Sequence, residues 1–181
     1  MSDDHAATTP VALEIVAMVR SGLWIYRHAA ALGIDRERIF LSGSSAGAQL
    51  VAMCLTRDWL PEPLKEAELV RGATLLGGLY DLEPLRSAYI GDAIGLTAAE
   101  SARTSLIRNV HNDLPPSVIA HGGDETRAFA EEQERYVRSF QKAGVAVTEV
   151  AVPGHDHFDL PFGLGDPRHP LGAAAERMMR R

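Results

Sequence analysis

One cysteine, Cys54, in a chain of 181 residues leaves no partner for an intrachain disulfide and too few thiolates for a cysteine-rich zinc site. Basic residues are in the minority, 18 against 24 acidic ones for a formal net charge of -6, so the chain offers no positive face to nucleic acid or to an anionic membrane. No apolar run approaches the roughly 20 residues that span a bilayer, and the opening MSDDHAATTP carries acid where a secretion signal carries base. Internal repeats and low-complexity stretches are also absent. Nucleic-acid and membrane partners are thereby excluded, and the expectation is a soluble, cytoplasmic protein without a structural metal.

What the chain does have is a core. A hydrophobic content of 46% in a chain of this length supports one globular domain, expected over residues 10–181 behind a polar tail at residues 1–9. Pro10 to Leu32 reads as an amphipathic helix, with Val11, Ile15, Met18, Val19, Ile25, Tyr26 and Ala29 near the helical period and Gly33 as its C-cap. Arg38 to Ser42 is a short apolar run, and Ala48 to Thr56 is helical again. Gly72 to Leu79 and Ser117 to Ala120 read as buried strands. Thr97 to Ser105 reads as a short helix opened by a Thr97–Glu100 capping box. Phe129 to Ala143 is a helix closed by Gly144, Val145 to Val152 is a last strand, and Leu171 to Arg181 a last helix. Strands alternating with helices predict an α/β fold, a mainly parallel sheet of about four strands with helices on both faces.

Between the first strand and the helix after it lies Gly43-Ser44-Ser45-Ala46-Gly47, a match to G-x-S-x-G in the strand–turn–helix setting that gives this motif its meaning. A strand that turns abruptly into a helix forces the central serine into a strained conformation, and glycines on either side let neighbouring backbones approach. The Ser45 hydroxyl is thus held in the open, and the Ala46 N–H at the helix start is aimed where negative charge develops on an attacked carbonyl.

A serine hydroxyl needs a general base, and the base needs an orienting carboxylate. His157 follows the last strand in Pro153-Gly-His-Asp-His-Phe158, with His155 as its rival; spacing alone does not separate them. His5, His28, His111 and His169 follow no strand end that would aim them, and read as solvated or satisfied. The acid is expected after the preceding strand, where Asp124 and Glu125 are adjacent in Val118-Ile-Ala-His-Gly-Gly-Asp-Glu125.

With these residues in hand, the chain resembles the arylformamidase, or kynurenine formamidase, branch of the α/β-hydrolases. The resemblance runs from about Val11 to the end. It rests on Ile39-Phe-Leu-Ser-Gly-Ser-Ser-Ala-Gly-Ala48, on Gly78-Leu-Tyr-Asp-Leu-Glu-Pro-Leu85, on Gly122-Gly-Asp-Glu-Thr126 with Phe129 and Gln133, and on Gly154-His-Asp-His-Phe-Asp159. It implies Ser45 as nucleophile, His157, directly before Phe158, as base, and Glu125, directly before Thr126, as acid. The His-Gly-x-x-Asp stretch of many α/β-hydrolases puts Glu125 at the same offset from His121; aspartate is the commoner acid there, which keeps Asp124 as the alternative. The resemblance further implies small esters or N-formyl amides as substrates, N-formylkynurenine among them, no metal or organic cofactor, and Tyr80 and Asp81 near the pocket rim, Asp81 equally well capping the next turn.

Members of that family carry further strands ahead of the first helix seen here, and a His-Gly-Gly segment that supplies a second oxyanion N–H. Here the only His-Gly-Gly, His121 to Gly123, follows the elbow. The expectation is therefore a truncated α/β-hydrolase whose elbow strand lies at the border of its sheet. Two functional readings follow: first, a serine hydrolase with a Ser45–Glu125–His157 triad; second, a catalytically weak or inactive fragment or a subunit completed by a partner chain; in either case self-association through the exposed edge is expected.

Overall fold

The protein is described from a computed structural model, which covers residues 10–56 and 69–180, the side chains of 10–19, 90 and 92 excepted. The polar tail and the stripe positions Val11, Ile15, Met18 and Val19 lie outside the described residues or side chains.

Helix α1 spans Pro10–Leu32. Gly33, at φ 68°, closes it with two hydrogen bonds: Ile34 N–H donates to Ala29 O at 2.8 Å and Gly33 N–H to Ala30 O at 3.3 Å, the pairing that a left-handed glycine permits. Four strands follow among the described residues: β1 (Phe40–Ser44), β2 (Gly72–Leu76), β3 (Ser117–Gly122) and β4 (Val147–Val152). They pair in parallel in the order β1-β2-β3-β4. The helices between and after them are α2 (Ala46–Leu55), α3 (Glu83–Arg86), α4 (Tyr89–Ile94), α5 (Ala98–Thr104), α6 (Arg127–Lys142) and α7 (Pro170–Met179). The expected capping box on α5 is present: Thr97 Oγ1 accepts from Glu100 N–H while Glu100 accepts from Thr97 N–H.

The strand residues divide between two apolar clusters, as alternate side chains of a sheet covered on both faces must. On one face Ala73 and Leu75 of β2 and Ile119 of β3 meet Ala48, Val51, Ala52 and Leu55 of α2 and Tyr136, Val137 and Phe140 of α6. On the other, Leu76, Val118, Ala120, Val150 and Val152 meet Leu171, Ala174 and Met178 of α7. Every residue of β2 and β3 is buried. Strand β1, with β2 on one side, is one of the two border strands among the described residues. It runs two residues later than the apolar run suggests, since pairing continues to Ser44 opposite Leu76 and carries the strand directly into the elbow. None of the helices among the described residues is long and apolar enough to cross a membrane.

Candidate active site

The turn from β1 into α2 is held by backbone contacts too tight for side chains. A Cβ on Gly43 would lie 2.2 Å from Gly47 O, so glycine alone lets the strand end and the helix start meet. Ser45, at φ 56° and ψ -122°, is the one non-glycine residue with positive φ among the described residues. Such a conformation costs roughly 1–3 kcal/mol and persists only where the surroundings impose it. Ser45 N–H donates to Leu76 O at 2.8 Å, and Ser45 O accepts from Ala48 N–H at 3.0 Å, pinning the residue from both sides. Although it stands at the N-cap of α2, its side chain makes no capping bond. Ala46 is the first residue of α2, where N–H groups have no acceptor one turn earlier.

Beyond the neighbouring strand ends, the acid loop and the histidine loop meet. His157 Nδ1–H donates to Glu125 Oε1 at 2.5 Å, and Gly122 N–H donates to Glu125 Oε2 at 2.8 Å. Both carboxylate oxygens are thus engaged. The Glu125 side chain is 1% exposed and that of His157 22%. Asp124 is exposed, and its amide donates to His155 O at 3.0 Å. Of the two adjacent carboxylates, Glu125 is the one that meets a histidine; of the two nearby histidines, His157 is the one that meets Glu125. His155 instead lies against His169, with their Nε2 atoms 3.1 Å apart.

Gly77, which sequence reasoning passed over, joins these halves. It follows Leu76, the acceptor of the Ser45 amide, and takes φ 52°. A Cβ there would sit 2.9 Å from Glu125 Oε1 and 3.0 Å from His157 Nδ1. The adjacent glycines Gly77-Gly78 at the end of an apolar run were the available signal for such close approach. Around the imidazole stand Phe129, with its ring centroid 4.8 Å away, and Phe158, edge-on at 5.6 Å and 83% exposed.

Tyr80 is not at a rim. It is fully buried and stacks on Tyr136 at 3.8 Å between centroids, because the chain after β2 turns inward and is fastened by α6. Glu132 Oε1 accepts from the amides of Tyr80 at 2.9 Å and Asp81 at 2.6 Å, and Gln133 Nε2–H donates to Gly78 O at 2.5 Å. Asp81 does cap the following turn, accepting from Glu83 N–H at 3.3 Å, and it also binds Arg135 at 2.6 Å. Partial burial alone would raise the Asp81 carboxyl, but the Arg135 guanidinium and the Glu83 amide hold it below the ordinary carboxylate range. Cys54 is no rival nucleophile: burial pushes its thiol up to about 12, so it stays protonated near neutrality. No group of His, Cys, Asp and Glu with metal-holding geometry occurs among the described residues.

The fold that carries these residues, a parallel sheet with a strained serine at a strand-to-helix turn, is also the one that related proteins share. A sequence model described as alpha/beta hydrolase fold matches residues 5–159. The chain belongs to the α/β-hydrolase fold family. Kynurenine formamidase of Danio rerio is 30% identical over 138 residues, which are 74% of this chain and 46% of that protein. Kynurenine formamidase of Salmo salar is 30% identical over 152 residues, 78% of this chain and 49% of that one. Among solved structures, the propionate-bound Est2 esterase of Thermogutta terrifontis superposes with a TM-score of 0.69 at 25% identity, covering 92% of this chain and 64% of that one. This α/β-hydrolase chain therefore spans about half the length of the curated relatives it matches.

Proposed function

We propose that this α/β-hydrolase chain carries the nucleophile, acid and base of a serine hydrolase of small carboxylic esters or N-formyl amides. The single observation that carries the reading is the backbone of Ser45, strained and pinned next to the strand end where Gly77 packs against the His157–Glu125 pair. Glu125, as carboxylate, accepts from His157 Nδ1–H, which leaves Nε2 with a lone pair and fixes the ring as a base. Ser45 Oγ attacks the carbonyl carbon while its proton passes to His157 Nε2. The tetrahedral oxyanion is met by the Ala46 N–H, and collapse expels the alcohol or amine, which takes the proton from Nε2. Water, deprotonated by the same nitrogen, then releases the acid and frees Ser45. The names of the relatives, formamidases and an esterase, support acyl and formyl groups as the class transferred.

A second reading draws on the outer edge of β1. Here the elbow reaches full activity only when strands from another polypeptide pair with that edge and bring a second oxyanion donor. One such donor is typically worth about a hundredfold to a thousandfold in turnover. A fluorophosphonate probe with mass-spectrometric mapping tests the first reading: modification at Ser45 alone supports it. Modification at Ser42 or Ser44, or none on the folded protein, overturns it. Turnover of p-nitrophenyl acetate by the isolated chain that matches full-length hydrolases overturns the second.

A further inference from the structure

The loop that carries His157 is fastened by a pair of imidazoles outside the triad. His155 and His169 lie with ring centroids 4.9 Å apart and their Nε2 atoms at 3.1 Å, a hydrogen bond that needs one nitrogen protonated and the other bare. Which is which follows from the surroundings. His169 stands at the N-cap of α7, where its Nδ1 accepts from Leu171 N–H at 3.2 Å. That nitrogen carries no proton, so the proton of a neutral His169 is on Nε2 and is given to His155 Nε2. The proton of His155 is then on Nδ1, a buried atom 3.6 Å from Asp159 Oδ1.

The pair is locked in other ways. Gly163 leaves the seat for the His169 ring, since a Cβ there would fall 2.2 Å from its Nδ1. His155 O accepts the Asp124 amide at 3.0 Å, so the residue touches the acid loop with its backbone and α7 with its side chain. We infer that His155 and His169 form a neutral, tautomer-fixed clasp that positions the His157 loop against Glu125. This rests on reading His157 as the base, and makes His155 and His169 positioning residues. A proton added to His155 Nε2 meets the Nε2–H of His169, and one added to His169 Nδ1 breaks the cap and meets the positive end of α7. Either proton opens the clasp. The carboxylates facing the pair, Asp156 and Asp159 on the same loop and Asp166 just before α7, soften this cost without supplying a second acceptor between the rings.

The test joins nitrogen-15 NMR of the imidazoles with the rate of fluorophosphonate labelling on the full chain. Expected at neutral pH are His169 protonated on Nε2 and His155 on Nδ1. Asparagine can still accept at an N-cap, so His169→Asn removes the clasp and keeps the cap. That variant should shift the amide signals of 155–159 and slow labelling roughly tenfold to a hundredfold, the range for a small misplacement of a reacting group. His155 protonated on Nε2, or 155–159 amide signals unmoved in His169→Asn, overturns the clasp. Where the natural chain takes no label at all, the triad reading fails, and the same two NMR readings decide the clasp.

Discussion

Ser45 gives its amide hydrogen to the carbonyl of Leu76 at 2.8 Å, so the strained serine is tied to the end of the strand beside it. The residue that follows that strand, Gly77, is the floor under Glu125 and His157. Gly77→Ala should therefore act on both halves of the site. Its Cβ would press on Glu125 Oε1 and His157 Nδ1 from 2.9 and 3.0 Å, at a φ of 52° that alanine adopts at a cost. We expect a loss of roughly 1–3 kcal/mol in urea unfolding and a fall of at least about tenfold in probe labelling, as the imidazole is displaced. Unchanged labelling would separate Gly77 from the site.

The proposed acid and base can be ranked by substitution. Glu125→Gln keeps size but loses the charge that orients His157, and should slow Ser45 labelling by roughly a thousandfold or more. Asp124→Asn, at an exposed side chain, should stay within about twofold. His157→Ala should abolish labelling, while His155→Ala should reduce it by the smaller factor of a loosened loop. The opposite order in either pair would move the triad along the chain.

Much of this arrangement was legible in the residues. The elbow stood out because only small residues at fixed offsets let β1 and α2 meet, and the Thr97–Glu100 box and the glycines at 33 and 144 marked helix ends by their capping chemistry. Strand limits were less legible: β1 continues through Gly43 and Ser44 because its backbone pairs with β2, which side-chain patterns do not report. The short helices α3 and α4 are too brief to show a period. Tyr80 reads as a rim residue until Glu132 and Gln133, about fifty residues on in the chain, are seen to pull its backbone inward. The His155–His169 contact belongs to the same class, since nothing in either residue's neighbours announces the other.

The fastening of Asp81 by α6 gives a stability signature in acid. The Asp81 carboxyl is held below its ordinary value of 3.8 in the folded protein, so its contribution is complete above that value and is lost as the pH falls through the lowered one. Arg135 is partly open to solvent, which limits that contribution to about 0.5–1 kcal/mol. Asp81→Asn should lower stability near neutrality by that amount and flatten the loss of stability below about pH 4. Glu132→Ala should cost more, roughly 2–4 kcal/mol, because a buried amide and a half-buried one lose their acceptor at once. Urea titrations across pH check both; an Asp81→Asn curve parallel to that of the natural chain would remove the pair from the acid response.

The last expectation concerns the outer edge of β1. Ile39 O accepts from Arg71 N–H and Ser45 N–H donates to Leu76 O, so odd-numbered residues of this stretch bond to β2 and the N–H groups of Phe40, Ser42 and Ser44 point the other way. Among the described residues no strand meets them, and an edge of that kind invites pairing with another chain. We therefore expect the isolated chain to self-associate, with light scattering giving a mass above that of a 19.6 kDa monomer. Ser42 is exposed in mid-strand and its N–H is one of those turned from β2, which makes it the place to blunt the edge. Ser42→Lys sets a charge there without breaking the ladder, and should return the chain toward a monomer while Ser45 labelling persists. A natural chain that is monomeric at high concentration would show that the edge is already covered. A Ser42→Lys protein that still assembles would place the contact on another surface.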